Sequence, residues 1–229
     1  MNWDVIVQYL PRLLEGALVT LQLVAFSVVL GLILALPIGI ARSSRLWYIR
    51  ALPYGYIFFF RGTPLLIQLF IVYYGLSQFD SVRNSALWTY LADPYWCALI
   101  TMTLHTAAYI AEIIRGAIQA VPPGEIEAAR ALGMSRSQTL QHIALPRAVR
   151  IGLPAYSNEV ILMLKASSLA STITLVELTG AATNAYSNTY LAVDFYFAAG
   201  VIYLLITFVL VQLFKLLERW LRVDACQGR

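Results

Sequence analysis

Charged side chains are scarce in this sequence of 229 residues: Asp, Glu, Lys and Arg make up 12% of it, whereas hydrophobic residues make up 60%. Soluble domains contain about 25% charged residues. The composition therefore excludes a soluble enzyme and predicts an integral membrane protein. Because a span must pair its backbone polar groups internally, we expect an all-α, polytopic fold.

Cysteine is equally rare, with only Cys97 and Cys226 in the chain. One lies in an apolar segment and the other near the C-terminus, so we expect neither a disulfide nor a metal site. The phosphate-binding motif G-x-x-x-x-G-K-S/T is absent from the sequence. We therefore expect no catalytic residue and no bound cofactor in this chain; any ATP would be hydrolysed by a separate subunit.

Five apolar segments are long enough to cross a bilayer, for which about 20 residues suffice. We predict a single transmembrane domain over residues 1–229, with spans at about 16–40, 52–76, 94–117, 151–172 and 195–214. Residues 1–15 suit a short interfacial helix without the features of a cleaved signal, so we expect this N-terminus to be retained. Residues 174–194 are expected to connect the last two spans and to end in a turn-like polar cluster.

Basic residues are distributed unevenly between the two sides of these spans. Twelve of the 16 Lys and Arg residues fall in three segments: the turn after the first span, the segment 115–150 and the C-terminal tail. Arg12 and Arg83 lie on the other side. Cytoplasmic loops are enriched in basic residues, so the N-terminus is predicted outside, and the C-terminus and the loop 120–148 inside.

The loop between the third and fourth spans has the signals of two short helices. Acidic residues follow Pro122-Pro123-Gly124, as at a helix start, and Gly133 stands where a left-handed C-cap is expected. Ser135 and Gln138 have the spacing of a capping box, and Pro146 is predicted to end the second helix. We therefore expect a compact helix–turn–helix.

The small residues Ala128 and Ala129 of the first short helix are expected to be exposed, so that another protein could approach closely. A solvated loop helix with chance alanines is the simpler alternative.

A charge, a glycine and a proline interrupt the second span at Arg61, Gly62 and Pro64. This combination does not fit a straight lipid-facing helix. One interpretation is a kink near the cytoplasmic end, with Arg61 reaching the interface. The other is a broken helix that faces a cavity or a partner helix, and the sequence leaves both open.

Polar residues also occur inside the third and fourth spans. His105 lies near the middle of the third, and Glu112 follows on the same helix face, three residues before Arg115, with which it can pair. An ionisable group at mid-span costs about 2.5–3.5 kcal/mol, so Glu159 is expected to face a cavity or a partner charge. Lys165 is poorly placed to be that partner, because six residues put it about 120° away around the helix.

The loop carries a further pattern, formed by Glu127, Ala128, Ala129, Gly133, Ile143, Leu145 and Pro146. This pattern between two spans resembles the EAA loop of permease subunits of ATP-binding cassette importers. The resemblance covers about residues 16–220. Residues 60–64, 123–127 and 154–163 are similar to the polar amino acid branch, nearest to the histidine and lysine–arginine–ornithine permeases.

This resemblance implies a five-to-six-helix permease of the bacterial cytoplasmic (inner) membrane, surrounded by lipid. Such permeases pair, as homo- or heterodimers, over two cytoplasmic ATPase subunits, and an extracytoplasmic solute-binding protein delivers the substrate. No nucleic-acid partner is expected. By the resemblance, the ATPase-coupling positions of this chain are Glu127, Ala128, Ala129, Gly133, Ile143 and Pro146.

A cationic substrate entering a cavity of low dielectric constant needs a partner charge, and Glu159 is the best candidate. We therefore expect basic amino acids (arginine, lysine, ornithine or histidine), with candidate contacts at Glu159, Asn158, Ser157 and His105. His105 could instead be a packed, hydrogen-bonded residue. If Lys165 and His105 neutralise Glu159, the site could instead take other polar amino acids as substrates. Opine-like arginine conjugates are a further alternative.

Two other classes compete with the permease subunit. A self-sufficient secondary transporter could use the polar residues of the third and fourth spans as a proton relay, but the chain is short and lacks a detectable inverted repeat. A scaffold that transports nothing would not need polar residues inside its spans.

Overall fold

The computed structural model describes residues 2–44 and 46–221, and in these ranges all regular structure is helical. The predicted all-α class is therefore confirmed. Cys226 and the tail arginines Arg222 and Arg229, which entered the predictions above, lie outside the described residues, as does Arg45.

Three helices are each long and apolar enough to cross a membrane alone: α1 (Trp3–Arg42), α6 (Pro94–Gln119) and α11 (Ala192–Leu221). Two further spans are possible if each of two bent helix pairs is one span, which gives up to five. The first pair is α2 (Trp47–Gly62) with α3 (Leu65–Phe70) and its continuation to Gln78. The second is the helical stretch Arg136–Ile173 with α10 (Leu178–Thr189).

Shorter elements connect these spans. After α3, a π turn (Ile71–Gly75) and a 3-10 turn (Leu76–Gln78) lead to α4 (Asp80–Arg83) and α5 (Trp88–Leu91). The loop after α6 contains α7 (Pro123–Ala131) and α8 (Arg136–Thr139). A π turn (Leu140–Ala144) then joins α8 to α9 (Leu145–Ala166), and a 3-10 turn (Ser167–Ile173) follows α9.

The N-terminal residues do not form a separate interfacial helix. They continue into the first span as α1, a single helix of 40 residues that contains Pro11. Packing explains the difference, because Leu13 is fully buried in a cluster with residues of α10 and α11, and the Tyr9 ring packs edge-on against Phe195 at 5.2 Å. These contacts stabilise helical backbone where a lone proline would otherwise favour a break.

The connection between α9 and α11 contains helix α10, which the sequence did not predict. Its N-cap is Glu177, whose carboxylate accepts hydrogen bonds from the backbone N–H groups of Thr179 and Gly180. The same carboxylate accepts from Thr20 of α1 and Tyr203 of α11, so one buried side chain joins three helices. A cleft of about 590 Å³, lined by apolar residues and by polar ones such as Arg12, Glu15 and Asn184, lies between α1 and α10.

Helices α1 and α6 form the most extensive packing of the fold, and glycines of α1 allow their close approach. A Cβ atom added at Gly39 would lie 2.8 Å from the carbonyl oxygen of Ala111 and 3.0 Å from Ile114 Cβ. Because the first of these atoms is backbone, relief would require a shift of the helices.

Gly39→Ala is therefore expected to destabilise the protein by about 1–3 kcal/mol, the usual cost of overpacking. The measurement is thermal unfolding of the detergent-purified protein. Gly200→Ala is the matched control, since a Cβ at Gly200 in α11 meets no atom within 4 Å and alanine favours helix. An equal effect of both substitutions would contradict the packing argument.

Candidate functional site

The chain bends by 101° between α2 and α3, at the interruption noted in the sequence. Arg61 and Gly62 end α2, and Pro64 precedes α3. Arg61 and Glu112 line a common cavity of about 310 Å³, together with Arg42, Tyr54, Ile57, Phe58 and Gly62. The break is thus a sharp turn beside a cavity, rather than a mild kink.

Gln68 of α3 binds the carbonyl groups that the break leaves without helical partners. Its side-chain Nε2 donates to Phe60 O at 2.9 Å and to Thr63 O at 3.1 Å, and it lies 2.7 Å from Thr63 Oγ1. Gln68 is only 4% exposed, and an unsatisfied buried carbonyl would cost about 1–3 kcal/mol. The amide therefore stabilises the bent conformation.

His105 of α6 contacts the other end of the same amide. Its Nδ1 lies 3.0 Å from Gln68 Oε1, and its ring centroid lies 4.9 Å from that of Tyr109. The guanidinium of Arg61 lies 5.1 Å from the centre of the Tyr109 ring. Arg61 and Gln68, on the two sides of the break, and His105 of α6 are thus joined in one continuous set of contacts that runs through Tyr109.

Glu159 is 7% exposed and faces α6, where Thr106 Oγ1 donates to its Oε1 at 3.5 Å. Thr106 is the residue next to His105. Neither of the two neutralising partners considered from the sequence pairs with the carboxylate: among the described residues Lys165 is exposed and makes no ion pair, and His105 binds Gln68. Among the described residues the carboxylate thus has one hydrogen-bond donor, the neutral Thr106 hydroxyl, and the charge of Arg61 also acts on it.

The other two candidate contacts of α9 are placed differently. Ser157 is buried, whereas Asn158 is exposed and shares its helix face with Lys165, seven residues further on. Asn158 makes no hydrogen bond to any residue that the structure describes. Glu112 pairs with Arg115, as its spacing suggested.

The loop between α6 and α9 ends its first helix in a Schellman motif. Gly133 has a positive φ of 82°, Met134 N donates to Ala129 O at 3.1 Å, and Gly133 N donates to Arg130 O at 2.9 Å. Ser135 and Gln138 form the reciprocal capping box of α8. An ion pair between Arg147 and Glu125, at 3.3 Å, joins α9 to α7.

Two expectations for this loop were wrong. Ala128 is exposed, but Ala129 is only 4% exposed, because adjacent helical residues point about 100° apart and Ala129 faces inward. Pro146 does not end a helix, since helical backbone runs from α8 through the π turn into α9. The π turn places Pro146 in the first turn of α9, where a missing N–H costs nothing.

The exposed surface of the loop includes Glu127, Ala128 and Gly133, with Ile143 partly buried and Pro146 exposed. It also includes Leu132, which is 83% exposed directly before Gly133. Sequence reasoning missed this residue; a leucine at the C-cap of a polar loop helix was the available signal.

Comparison with known proteins gives consistent results. Residues 27–223 match the family model described as binding-protein-dependent transport system inner membrane component. The octopine transport system permease protein OccM of Rhizobium radiobacter is 52% identical over 211 residues, which cover 92% of this chain and 86% of that protein. The arginine ABC transporter permease protein ArtM of Escherichia coli K12 is 43% identical, with coverages of 93% and 95%.

Among solved structures, a crystal structure of an amino acid ABC transporter with histidines has a TM-score of 0.86 and 34% sequence identity. The match covers 96% of this chain and 98% of the chain in that structure.

Proposed function

The chain belongs to the family of binding-protein-dependent transport system inner membrane components, and we propose that it forms part of an import path for amino acids and their conjugates that carry a guanidinium or ammonium group in the side chain. It is a multi-pass transport subunit of an ATP-binding cassette importer. Arginine-type amino acids and arginine-derived opines are the proposed substrates, and opines share the guanidinium group with arginine.

One observation carries this substrate proposal: the carboxylate of Glu159 is buried in α9, and in the part of the chain that the structure describes the Thr106 hydroxyl is its one hydrogen-bond donor. An ionised carboxylate in such surroundings is stabilised by a cation that arrives with its own hydrogen-bond donors. A guanidinium binds a carboxylate with two parallel hydrogen bonds. The names of the relatives support the same chemistry, since one concerns octopine and another arginine.

The proposed assembly contains two ATPase subunits, a second permease, which is either another copy or a different chain, and an extracytoplasmic solute-binding protein. The proposed orientation places the N-terminus outside and the α7–α8 loop in the cytoplasm, in line with the distribution of basic residues. The exposed loop residues Glu127, Ala128 and Leu132 then face the ATPase. No residue of this chain is proposed to bind ATP or a metal.

Uptake of labelled arginine by cells that contain the complete system tests the proposal. Unlabelled arginine and octopine are expected to compete strongly, lysine less strongly, and glutamine weakly or not at all, because glutamine offers no cation to Glu159 beyond its α-amino group. Competition by glutamine equal to that by octopine would overturn the substrate class.

The energy source is tested in the same cells. Depletion of ATP with the proton gradient maintained is expected to abolish uptake, as the family membership implies. Uptake that persists under these conditions and stops when the gradient is dissipated would instead indicate the secondary transporter.

A further inference from the structure

The hydrogen bonds around Gln68 fix the orientation of its side-chain amide. Its nitrogen faces two carbonyl oxygens of the α2–α3 break, Phe60 O and Thr63 O. The hydroxyl of Thr63 donates to Phe59 O, so its oxygen also accepts from the amide. An amide oxygen in that position would face three acceptors without a proton, so nitrogen occupies it and Oε1 faces His105.

This orientation determines which nitrogen of His105 carries the proton. Gln68 Oε1 can only accept, so the Nδ1 atom at 3.0 Å must be the donor. Nε2 makes no hydrogen bond within the described part of the chain. A second ring proton would therefore have no acceptor, and the neutral ring with its proton on Nδ1 satisfies every contact that the structure contains.

We propose that Gln68 is a positioning residue for transport: it holds His105 in the Nδ1–H form, so that Nε2 is an acceptor for an N–H group of the cationic substrate. This inference rests on the proposed function for its substrate. His105 is only partly buried, and its neighbour Thr106 contacts Glu159. A guanidinium has five N–H donors, more than one carboxylate can accept, so a neutral acceptor in α6, the helix that Glu159 faces, adds recognition without adding charge.

The same amide also holds the bent conformation of the α2–α3 break, because its nitrogen binds the free carbonyls there. The position of the break and the proton on His105 are thus set by one side chain. Loss of the Gln68 amide would change both the bend and the tautomer of His105. The experiment must therefore distinguish an effect of the imidazole from an effect of the backbone.

Nitrogen NMR of the assembled importer labelled with ¹⁵N-histidine reads the tautomer without any substrate. This chain contains two histidines, and the signal that disappears in His105→Gln belongs to His105. Nε2 is expected to be unprotonated in the wild type, and a mixture of tautomers is expected in Gln68→Met, because a thioether is a far weaker acceptor than an amide oxygen. A protonated Nε2 in the wild type, or an unchanged tautomer in Gln68→Met, would overturn the proposal.

Transport kinetics then test the role of Nε2. The side-chain amide oxygen of a glutamine at position 105 lies near the position that Nε2 occupies in histidine. The amide oxygen of an asparagine reaches only the position of Nδ1. His105→Gln is therefore expected to keep the KM for arginine within about threefold, and His105→Asn to raise it about tenfold or more, the effect of one hydrogen bond to a charged group. Equal KM values for the two variants would contradict an acceptor role.

The proposed function and the inference about Gln68 and His105 can be disproved independently of each other. If wild-type cells import neither arginine nor octopine, the proposed function is wrong, and the NMR result still decides whether Gln68 sets the tautomer. If import is normal and the tautomer is the other one, only the inference about Gln68 and His105 is wrong.

Discussion

Arginine uptake is expected to fall about 100-fold or more when Glu159 is replaced by glutamine, while the amount of protein in the membrane stays unchanged. The carboxylate is buried, and within residues 2–44 and 46–221 its one hydrogen-bond donor is the Thr106 hydroxyl. In the proposed function Glu159 forms a buried ion pair with the cationic group of the substrate. Removing one member of such a pair costs about 3–5 kcal/mol, and each 1.4 kcal/mol corresponds to a factor of ten in uptake. Glutamine preserves the size of the side chain and an acceptor for Thr106, so the change affects charge alone.

Glu218→Gln is the matched control, because it makes the same chemical change near the end of α11. It is expected to leave uptake within about twofold of the wild type. If Glu159→Gln transports arginine as well as this control does, Glu159 is structural, and substrate specificity resides in the binding protein or the second permease.

Gly133→Val is expected to reduce uptake about tenfold or more and to abolish stimulation of the ATPase by the substrate-loaded binding protein. Gly133 has a positive φ of 82°. This backbone conformation is less favourable by about 1–2 kcal/mol for a residue with a Cβ, and the cost is higher for a β-branched residue such as valine. A Cβ at this position meets no atom within 4 Å. The effect therefore comes from the backbone, which would leave the Schellman geometry and reorient the exposed loop surface.

Gly133→Asn separates this strain from the mere addition of a side chain, since asparagine tolerates left-handed backbone. It is expected to retain most uptake. Membrane levels, measured by immunoblot, should be similar for both variants, because Gly133 is exposed and a Cβ there meets no atom within 4 Å. Normal uptake by Gly133→Val would show that the conformation of this turn does not matter for coupling.

Features governed by local chemistry could be predicted from the sequence. The left-handed Gly133 follows from its place after the last good helix former, and the capping box follows from the Ser135–Gln138 spacing, which depends on four consecutive residues only. The bend at residues 61–64 likewise follows from a glycine and a proline two residues apart, Gly62 and Pro64. Each of these is determined within one or two helical turns.

Features that depend on tertiary contacts could not be predicted. Gln68 resembles any polar residue in an apolar run until the α2–α3 bend brings it to Phe60 and His105. Glu177 was passed over because its partners, Thr20 and Tyr203, are remote in sequence. Helix α10 has weak intrinsic helix formers and depends on that cap and on packing against α1, neither of which is visible in its own residues.

The candidate site was predicted only in part. Glu159 and His105 were identified because ionisable residues are costly inside a span and therefore mark sites. Asn158 was included for its position in the chain, but it faces away, with Lys165. Helix periodicity shows which residues share a face, and only the packed structure shows which face is turned towards α6.

The unbroken length of α1 has a mechanical consequence. Its 40 residues form a rod of about 60 Å, twice the thickness of the hydrocarbon layer. One end borders the cleft beside α10, and Gly39 near the other end touches α6. A rod of this length that tilts by about 5° carries one end about 5 Å past the other. The helix is therefore expected to act as a beam: a displacement imposed at the cleft beside α10 should reach the contact of Gly39 with α6, and spin labels at the two ends are expected to move together.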